Sequence, residues 1–465
     1  MGGEMKENRG LWGDLGNPGP QAGGPGKDGG AGCGGGPRAA KNIAPARCGP
    51  GFGWLGGRWL TALAVAAASA WLAAAGPAQG AGFAVVQQGT EAMAQGNAYV
   101  AEADNASAIY YNPAGLNQLK RAQFYLGTFI NSFDRDFNGP GGQYSETNHR
   151  LYRHLSAFLA LPINDRVALG LGFFSPFGLG TVWPPAWVGR YLTTFSELRT
   201  FNFNPVVSVK VLDNLSLAAG FDALWASVEL RRRFPVATME GESILRGDTN
   251  GVGYNLGLLY EVVPGVKLGV SYRSEIPVTF RGDVATNLRH LHVPTVGGTA
   301  DLTFPASVTG GIAYSRFKPF TFEFDTTWTG WSSYDQLKVD LAAPVLGRRT
   351  LVSPKNWHDA WAFRFGGNYE IKPGMKLRAG YIYDLTPVPD STFDPQVPDA
   401  NRHVFAVGGD MKVLGRFTLG WAYNFILSED RDKHNRLLGL PPAYQANGRY
   451  SSNVHSLGLS FSFTF

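Results

Sequence analysis

From Leu457 to Phe465 the chain alternates without a fault. Leu457, Leu459, Phe461, Phe463 and Phe465 are apolar, and Gly458, Ser460, Ser462 and Thr464 lie between them. A period of two residues places these sets on opposite faces of a β-strand. The pattern recurs upstream. Phe201, Phe203, Val207 and Val209 alternate with Asn202, Asn204, Ser208 and Lys210; Phe322, Phe324 and Trp328 alternate with Glu323, Asp325 and Thr327. Leu215, Leu217, Phe221 and Trp225, then Leu268, Val270 and Tyr272, then Trp361, Phe363 and Phe365, then Phe417, Leu419, Trp421 and Tyr423 repeat it.

Turn residues punctuate these segments in two sizes. Short turns fall at 162–165, 212–214, 264–265, 318–319, 372–374 and 414–415, each with Pro, Gly, Asn or Asp where a hairpin needs one. Long polar connections fall near 134–150, 175–198, 231–250, 282–299, 341–355, 386–400 and 429–450. Six short turns and seven long connections imply fourteen strands. An even strand number with short turns at one end and long loops at the other is the plan of an outer-membrane barrel. A soluble β-sandwich would also alternate, with its apolar face inward. The number of strands and mid-strand charges such as Arg364 favour the barrel, in which closure satisfies every backbone group in lipid. An aromatic carboxyl-terminal residue agrees with it. The expected fold is all-β: a 14-stranded antiparallel transmembrane barrel over 122–465, with a small N-terminal hatch over 81–121.

Composition sharpens this. Hydrophobic residues are 44%, aromatics 13% and charged residues 17%, with 61 glycines. No stretch of the body reaches the roughly 20 apolar residues of a membrane-spanning helix. Residues 59–75 form an apolar run after Arg58, and Ala78-Gln79-Gly80 precede a cleavage-type position at Ala81. This predicts a signal peptide over 58–80, with a membrane anchor as the alternative. Residues 1–57, rich in Gly and Pro and without periodicity, predict a disordered or non-native extension. Both cysteines, Cys33 and Cys48, precede the cleavage position, so no disulfide is expected after it. The first 80 residues hold 7 Lys/Arg and 4 Asp/Glu, which leaves 34 against 32 and a net charge of +2. That balance carries no nucleic-acid signature.

Some positions with inward parity are apolar: Phe158, Val206, Leu224, Leu259 and Ile382. They line pockets for a greasy solute, or they pack against a plug, and the two readings are compatible. No cluster of His and Cys suggests a metal, and no nucleotide loop or nucleophile elbow occurs. His455 and Ser456 are adjacent, so they face opposite sides of a strand and cannot pair as a lipase dyad. Glu323 or Asp325 with Arg364 are expected as lumen salt bridges. No enzyme, metal or cofactor is expected.

Residues 81–121 do not read as barrel strands. Thr90 to Ala103 is compatible with helix, and Asp104-Asn-Ala-Ser-Ala-Ile-Tyr-Tyr-Asn-Pro-Ala-Gly-Leu116 follows. With Ala81-Gly82-Phe83, this run resembles the hatch of the FadL-type long-chain fatty-acid transporters, a family that includes aromatic-hydrocarbon channels. The resemblance covers 81–465. It extends to Phe173-Phe-Ser-Pro-Phe-Gly-Leu-Gly-Thr181 and Trp187-Val-Gly-Arg-Tyr191. It implies a monomeric bacterial outer-membrane channel whose partners are fatty acids, hydrocarbons or detergents and the surrounding lipid. It also implies a hatch carrying Asn112, Pro113 and Ala114, and a third-strand kink opening a lateral gap at Ser175, Pro176, Phe177 and Gly178. Pro176 cannot donate to a ladder, which suits a break there; the start of an outer loop is the alternative. Solute capture falls to Trp183, Trp187 and Phe195. Arg273, Arg364 and Arg378 are the candidates for a carboxylate. A general-diffusion or structural barrel is the rival reading.

Overall fold

The computed structural model describes residues 82–236, 239–287, 295–345, 348–437 and 439–465. The expected extension, signal peptide and cysteines lie outside these residues. The chain forms a closed fourteen-stranded antiparallel barrel. Its strands are β1 (Gln123–Asn138), β2 (Leu151–Pro162), β3 (Val167–Phe174 and Gly178–Val182), β4 (Phe195–Leu212), β5 (Leu215–Val236), β6 (Met239–Val263) and β7 (Val266–Arg273 and Ile276–Thr286). They continue as β8 (Val296–Phe304 and Ser307–Tyr314), β9 (Phe320–Thr329 and Gln336–Val345), β10 (Arg348–Pro354 and Ala360–Lys372), β11 (Met375–Asp384), β12 (Arg402–Val413), β13 (Phe417–Ser428) and β14 (Gly448–Thr464). β14 returns to β1 in register from Gln123↔Thr464 to Asn138↔Arg449, so no edge remains.

The outward sets are those the alternation gives. Phe201, Trp225, Phe322, Phe365, Phe405 and Leu459 are exposed on the wall, and no water-facing sheet of a soluble protein carries such a belt. The six short turns fall where turn chemistry places them. The long connection at 386–400 also falls where expected, between Asp384 and Arg402, but others are shorter than expected. Residues 231–236 and 239–250 continue β5 and β6, which pair from Leu215↔Tyr260 to Val236↔Met239, and β6 alone is 25 residues long. Strands likewise occupy much of 341–355. Above the membrane neither face needs to be apolar, so the hydrophobic signal stops while the ladder continues.

The interior is filled by residues 82–121. α1 (Thr90–Ala94) and α2 (Ala108–Tyr111) are single turns, and a 3₁₀ segment (Pro113–Gln118) follows. α1 ends where Gly96 and Asn97 adopt positive φ of 64° and 54°. Asn112 is extended, with φ −159° and ψ 100°, as a residue before Pro must be. Its side chain accepts from Ala114 N and donates to Val100 O and, on the wall, to Leu258 O. Asn112 thus caps the 3₁₀ turn and ties it to β6. α1 packs against β11, β12, β13 and β14, and the 3₁₀ segment against β2 through β6.

Candidate functional site

Two carboxylates on β9 hold the middle of the interior segment. Asp325 accepts from Tyr99 N (2.8 Å) and Val100 N (3.1 Å); Glu323 accepts from Ala101 N (2.7 Å) and Glu102 N (2.8 Å). These donors belong to an irregular turn and have no helical acceptors, so buried carboxyl oxygens accept from them. The pairing of Glu323 or Asp325 with Arg364 is therefore replaced by main-chain bonds. Among the described residues Arg364 has no carboxylate at ion-pair distance. It is 7% exposed, donates through Nη1 to Thr327 Oγ1, and its buried Nε has no partner.

The other two arginines are committed elsewhere. Arg273 pairs with Asp222 at 2.8 Å and donates to Ile109 O and Tyr110 O. Arg378 pairs with Asp410 at 2.7 Å and Glu102 at 3.3 Å and also donates to Gln95.

A cavity of about 130 Å³ lies between the interior segment and the wall. Val86, Val100, Tyr110, Tyr111, Pro176 and Phe177 give it an apolar side. Asn202, Ser271, Thr309, Thr327, Arg273 and Arg364 give it a polar one, with Asp222, Asp325 and Asp384 also on its lining. Of the residues expected at the site, Pro176, Phe177, Arg273 and Arg364 line it. Phe158 and Val206 instead pack on Ala106, Ile109 and Leu116, and Leu259 packs on Ala114 and Ala218. Ile382 joins Phe133, Val404 and Val454, and Leu224 joins the large upper cluster. Asn112, Pro113, Ala114, Ser175, Gly178 and Arg378 stand outside the lining. The sequence signal for Tyr110, Tyr111 and Asp222 was present in the tyrosine pair and in a mid-strand acid with inward parity. What brings them together is the path of the interior segment, which periodicity does not encode.

The wall is broken beside this cavity. β3 pairs with β4 along both of its halves, but with β2 only from Ala157↔Phe173 to Pro162↔Ala168. From Ser175 to Phe177 the strand leaves its neighbour, and residues 83–88 enter the seam. Val85 N donates to Pro176 O (2.8 Å), Gly178 N to Phe83 O (3.0 Å) and Gln88 Nε2 to Ser175 O (2.7 Å). On the β2 side Ser156 Oγ donates to Gln88 O (2.7 Å), and His154 Nε2 lies 2.9 Å from Gln87 O. The N-terminal segment thus lies along the break, bridged to β3 through main chain at Ala84↔Phe177 and held to β2 by the side chains of Ser156 and His154. Phe83 is clamped edge-on by Trp331 at 4.5 Å, and Phe177 stacks on Phe304 at 4.6 Å.

Trp183 and Trp187 are not open receptor residues. They stack at 4.3 Å, are 1% and 3% exposed, and donate to Pro395 O and Thr193 O. They form part of a roof. His455 and Ser456 face opposite ways: Ser456 is buried against Asn131, whereas His455 reaches Tyr423 OH on the outer wall.

A closed barrel with an apolar outer belt, a packed interior segment and a cavity beside a broken strand defines a transport barrel of the outer membrane. Residues 71–465 match the family described as outer membrane protein transport protein (OMPP1/FadL/TodX), and the chain belongs to that family. The long-chain fatty acid transport protein of Salmonella typhi is 26% identical over 363 residues, covering 67% of this chain and 80% of that protein. Outer membrane protein P1 of Haemophilus influenzae is 23% identical over 461 residues, covering 85% and 98%. The crystal structure of a Pseudomonas aeruginosa FadL homologue superposes with a TM-score of 0.72 at 22% identity, covering 83% of this chain and all of that one. The toluene transporter TodX of P. putida gives 0.65 at 18% identity, covering 81% and 98%, which shows the shared fold.

Proposed function

We propose that this protein takes up hydrophobic small molecules, of the class of fatty acids and aromatic hydrocarbons, across the outer membrane, and that it is not an enzyme. The observation carrying this reading is the seam between β2 and β3, whose hydrogen bonds are completed by residues 83–88 rather than by the wall. A segment that mends a wall by a few main-chain bonds also opens it by withdrawing. Each such bond contributes only about 1 kcal/mol net. Solute leaving sideways enters the lipid directly, whereas a straight exit exposes it to water. At roughly 25 cal/mol per Å² of apolar surface the lateral route is favoured by several kcal/mol for an alkyl chain. Of the three arginines considered for an acidic head group, Arg364 is the one with no carboxylate at ion-pair distance among the described residues, since Arg273 and Arg378 hold buried acids.

The test replaces Ser175-Pro176-Phe177-Gly178 by Thr-Val-Thr-Val and follows uptake of oleate, toluene and a small sugar into liposomes. The variant is expected to keep heat-resistant folding and to lose uptake of the two hydrophobic solutes at least tenfold. Wild-type uptake by the folded variant would remove the seam from the pathway. Sugar flux equal to that of the hydrophobic solutes in the parent protein would favour a general-diffusion barrel.

A further inference from the structure

The wall has a second break. β6 and β7 pair in register from Asn255↔Arg273 downward, and again from Asp248↔Arg281 upward. Between these stretches no ladder pair joins residues 249–253 of β6 to β7. The lower ladder ends on Ser274, whose N donates to Tyr254 O while its hydroxyl accepts from Tyr254 N, each at 2.9 Å. Beyond it the inward set of β7 changes parity, from Gly269 and Ser271 to Ile276, Val278 and Phe280. β8 changes parity at the same height, between Phe304 and Ser307, and stays in register with β7 throughout. The pair β7–β8 therefore shifts as a unit by one residue relative to β6, so that regular main-chain pairing lapses there while the strands stay in contact.

Two side chains fill the split. Ile276 and Val278 lie over Gly251 and Gly253. A Cβ on Gly251 would come within 2.6 Å of both, and one on Gly253 within 2.7 Å of Ile276. Ile276 and Ser274 line the interior cavity, whereas Pro277 and Val278 line a cleft of about 660 Å³ on the outside. Trp225, Asp248, Asn250, Thr279, Arg281 and Asp301 form the rest of that cleft's rim. Ile276 on the cavity side and Val278 on the cleft side thus stand two residues apart on β7.

The cleft stands at the outer edge of the apolar belt. The outward residues of β5 are Leu217, Phe221 and Trp225, then Ser227, Glu229 and Arg231. On β6 the change falls between Asn250 and Val252. Leu215 to Trp225 at about 3.3 Å per residue, with a tilt near 40°, rises about 25 Å, the height of the apolar band of such barrels. Apolar solutes with a polar group accumulate at this level.

We propose that the β6–β7 split is a lateral entry port through which a small hydrophobic solute passes from the outer-leaflet interface to the interior cavity, with Ile276 and Val278 as its gate. The fit is to one aromatic ring or a short alkyl chain: a cavity of about 150 Å³ holds benzene. The port rests on the transport reading above and adds an entrance distinct from the roof.

The test uses the full chain in liposomes with toluene as solute. Asn250→Cys is labelled with a bulky maleimide to block the cleft, and Ile276→Ala with Val278→Ala widens the gate. Cavity loading is read from quenching of tryptophan fluorescence by bromobenzene, with Trp225→Phe isolating the signal at the cleft. Labelling is expected to slow loading at least fivefold, and the widened gate to speed it by a similar factor. Both proteins should retain heat-resistant folding. Unchanged loading in both, with toluene uptake still abolished by the β3 replacement, would overturn the port and leave the transport reading standing. Absence of loading and of uptake in the parent protein would overturn both.

Discussion

The ladder of the barrel is interrupted at several seams, between β8 and β9 and between β9 and β10 among them, and two of the interruptions, β2–β3 and β6–β7, are mended by different means. Between β2 and β3 the missing partner is replaced by residues 83–88, which bond main chain to main chain with Pro176 and Gly178 and through side chains with Ser175 and Ser156. Between β6 and β7 it is replaced by side chains, Ile276 and Val278 seated over two glycines. A main-chain mend is directional and is lost as a unit when the segment moves. A side-chain mend draws on burial, about 1.5–3 kcal/mol for each residue, and yields by rotamer change without moving a segment. One seam is thus built to switch with the N-terminal segment and the other to breathe independently of it.

The comparison breaks most visibly if the N-terminal segment is removed. Deleting residues 82–88 is expected to raise ion conductance of the reconstituted barrel at least tenfold, while the protein stays inserted and heat-resistant. An unchanged conductance would mean that these residues do not seal the β2–β3 seam.

A smaller effect separates the seam from the anchor below it. Asp325→Asn together with Glu323→Gln weakens the acceptors of four successive N–H groups, and the Gln amide turns an NH2 donor toward an N–H that one Glu323 oxygen accepts from. A buried donor left without an acceptor costs about 1–3 kcal/mol. Amide exchange at Tyr99 to Glu102 is expected to accelerate at least tenfold, with less change at Val85 and Gly178. Equal acceleration at both would make the interior segment a single cooperative unit and dissolve the distinction.

These breaks also mark how far the sequence could be read. Within the membrane the alternation of Phe201, Phe203 and Val207 or of Leu457, Leu459 and Phe461 is enforced by lipid on one side, so strands, turns and facing were legible. The β3 break was visible because Pro176 removes a donor. The β6–β7 break was not, because parity reading assumes a constant period and the shift occurs at Ser274-Glu275, neither of which interrupts a strand by its own chemistry. The upper halves of β5 and β6 were read as a loop because Arg231, Arg233 and Glu240 face water. The cavity was legible only in fragments. Phe158 and Val206 have the inward parity expected of them, but their partners, Ile109 and Leu116, lie in a segment whose path no periodicity records.

Glycine substitution sharpens the side-chain half of the comparison. Gly251→Ala places a methyl within 2.6 Å of Ile276 and Val278, whereas Gly310 has nothing within 4 Å of an added Cβ. Overpacking of this kind costs about 1–3 kcal/mol. Gly251→Ala is expected to lower the unfolding free energy measured in urea by that amount and to alter toluene loading. Gly310→Ala should be neutral or slightly stabilising, since it only restricts the unfolded chain.

The smallest expected effect lies on the main-chain half. Ser156 is fully buried on β2, and its hydroxyl donates to Gln88 O at 2.7 Å, the clearest side-chain bond from the wall of β2 to the N-terminal segment. Ser156→Ala removes that bond and leaves the neighbouring contact of His154 Nε2 with Gln87 O in place. The loss of about 1 kcal/mol should raise the population of the opened seam about fivefold. Single-channel recording reads this as more frequent brief openings with unchanged conductance of each. The corresponding change across the second break, Thr249→Ala, removes a hydroxyl that donates to Thr279 O at 2.9 Å in an exposed setting, where water replaces it. Opening frequency in that variant should match the parent protein. If Thr249→Ala changes the openings as much as Ser156→Ala does, hydrogen bonding rather than side-chain packing closes the β6–β7 split, and the two breaks are mended alike.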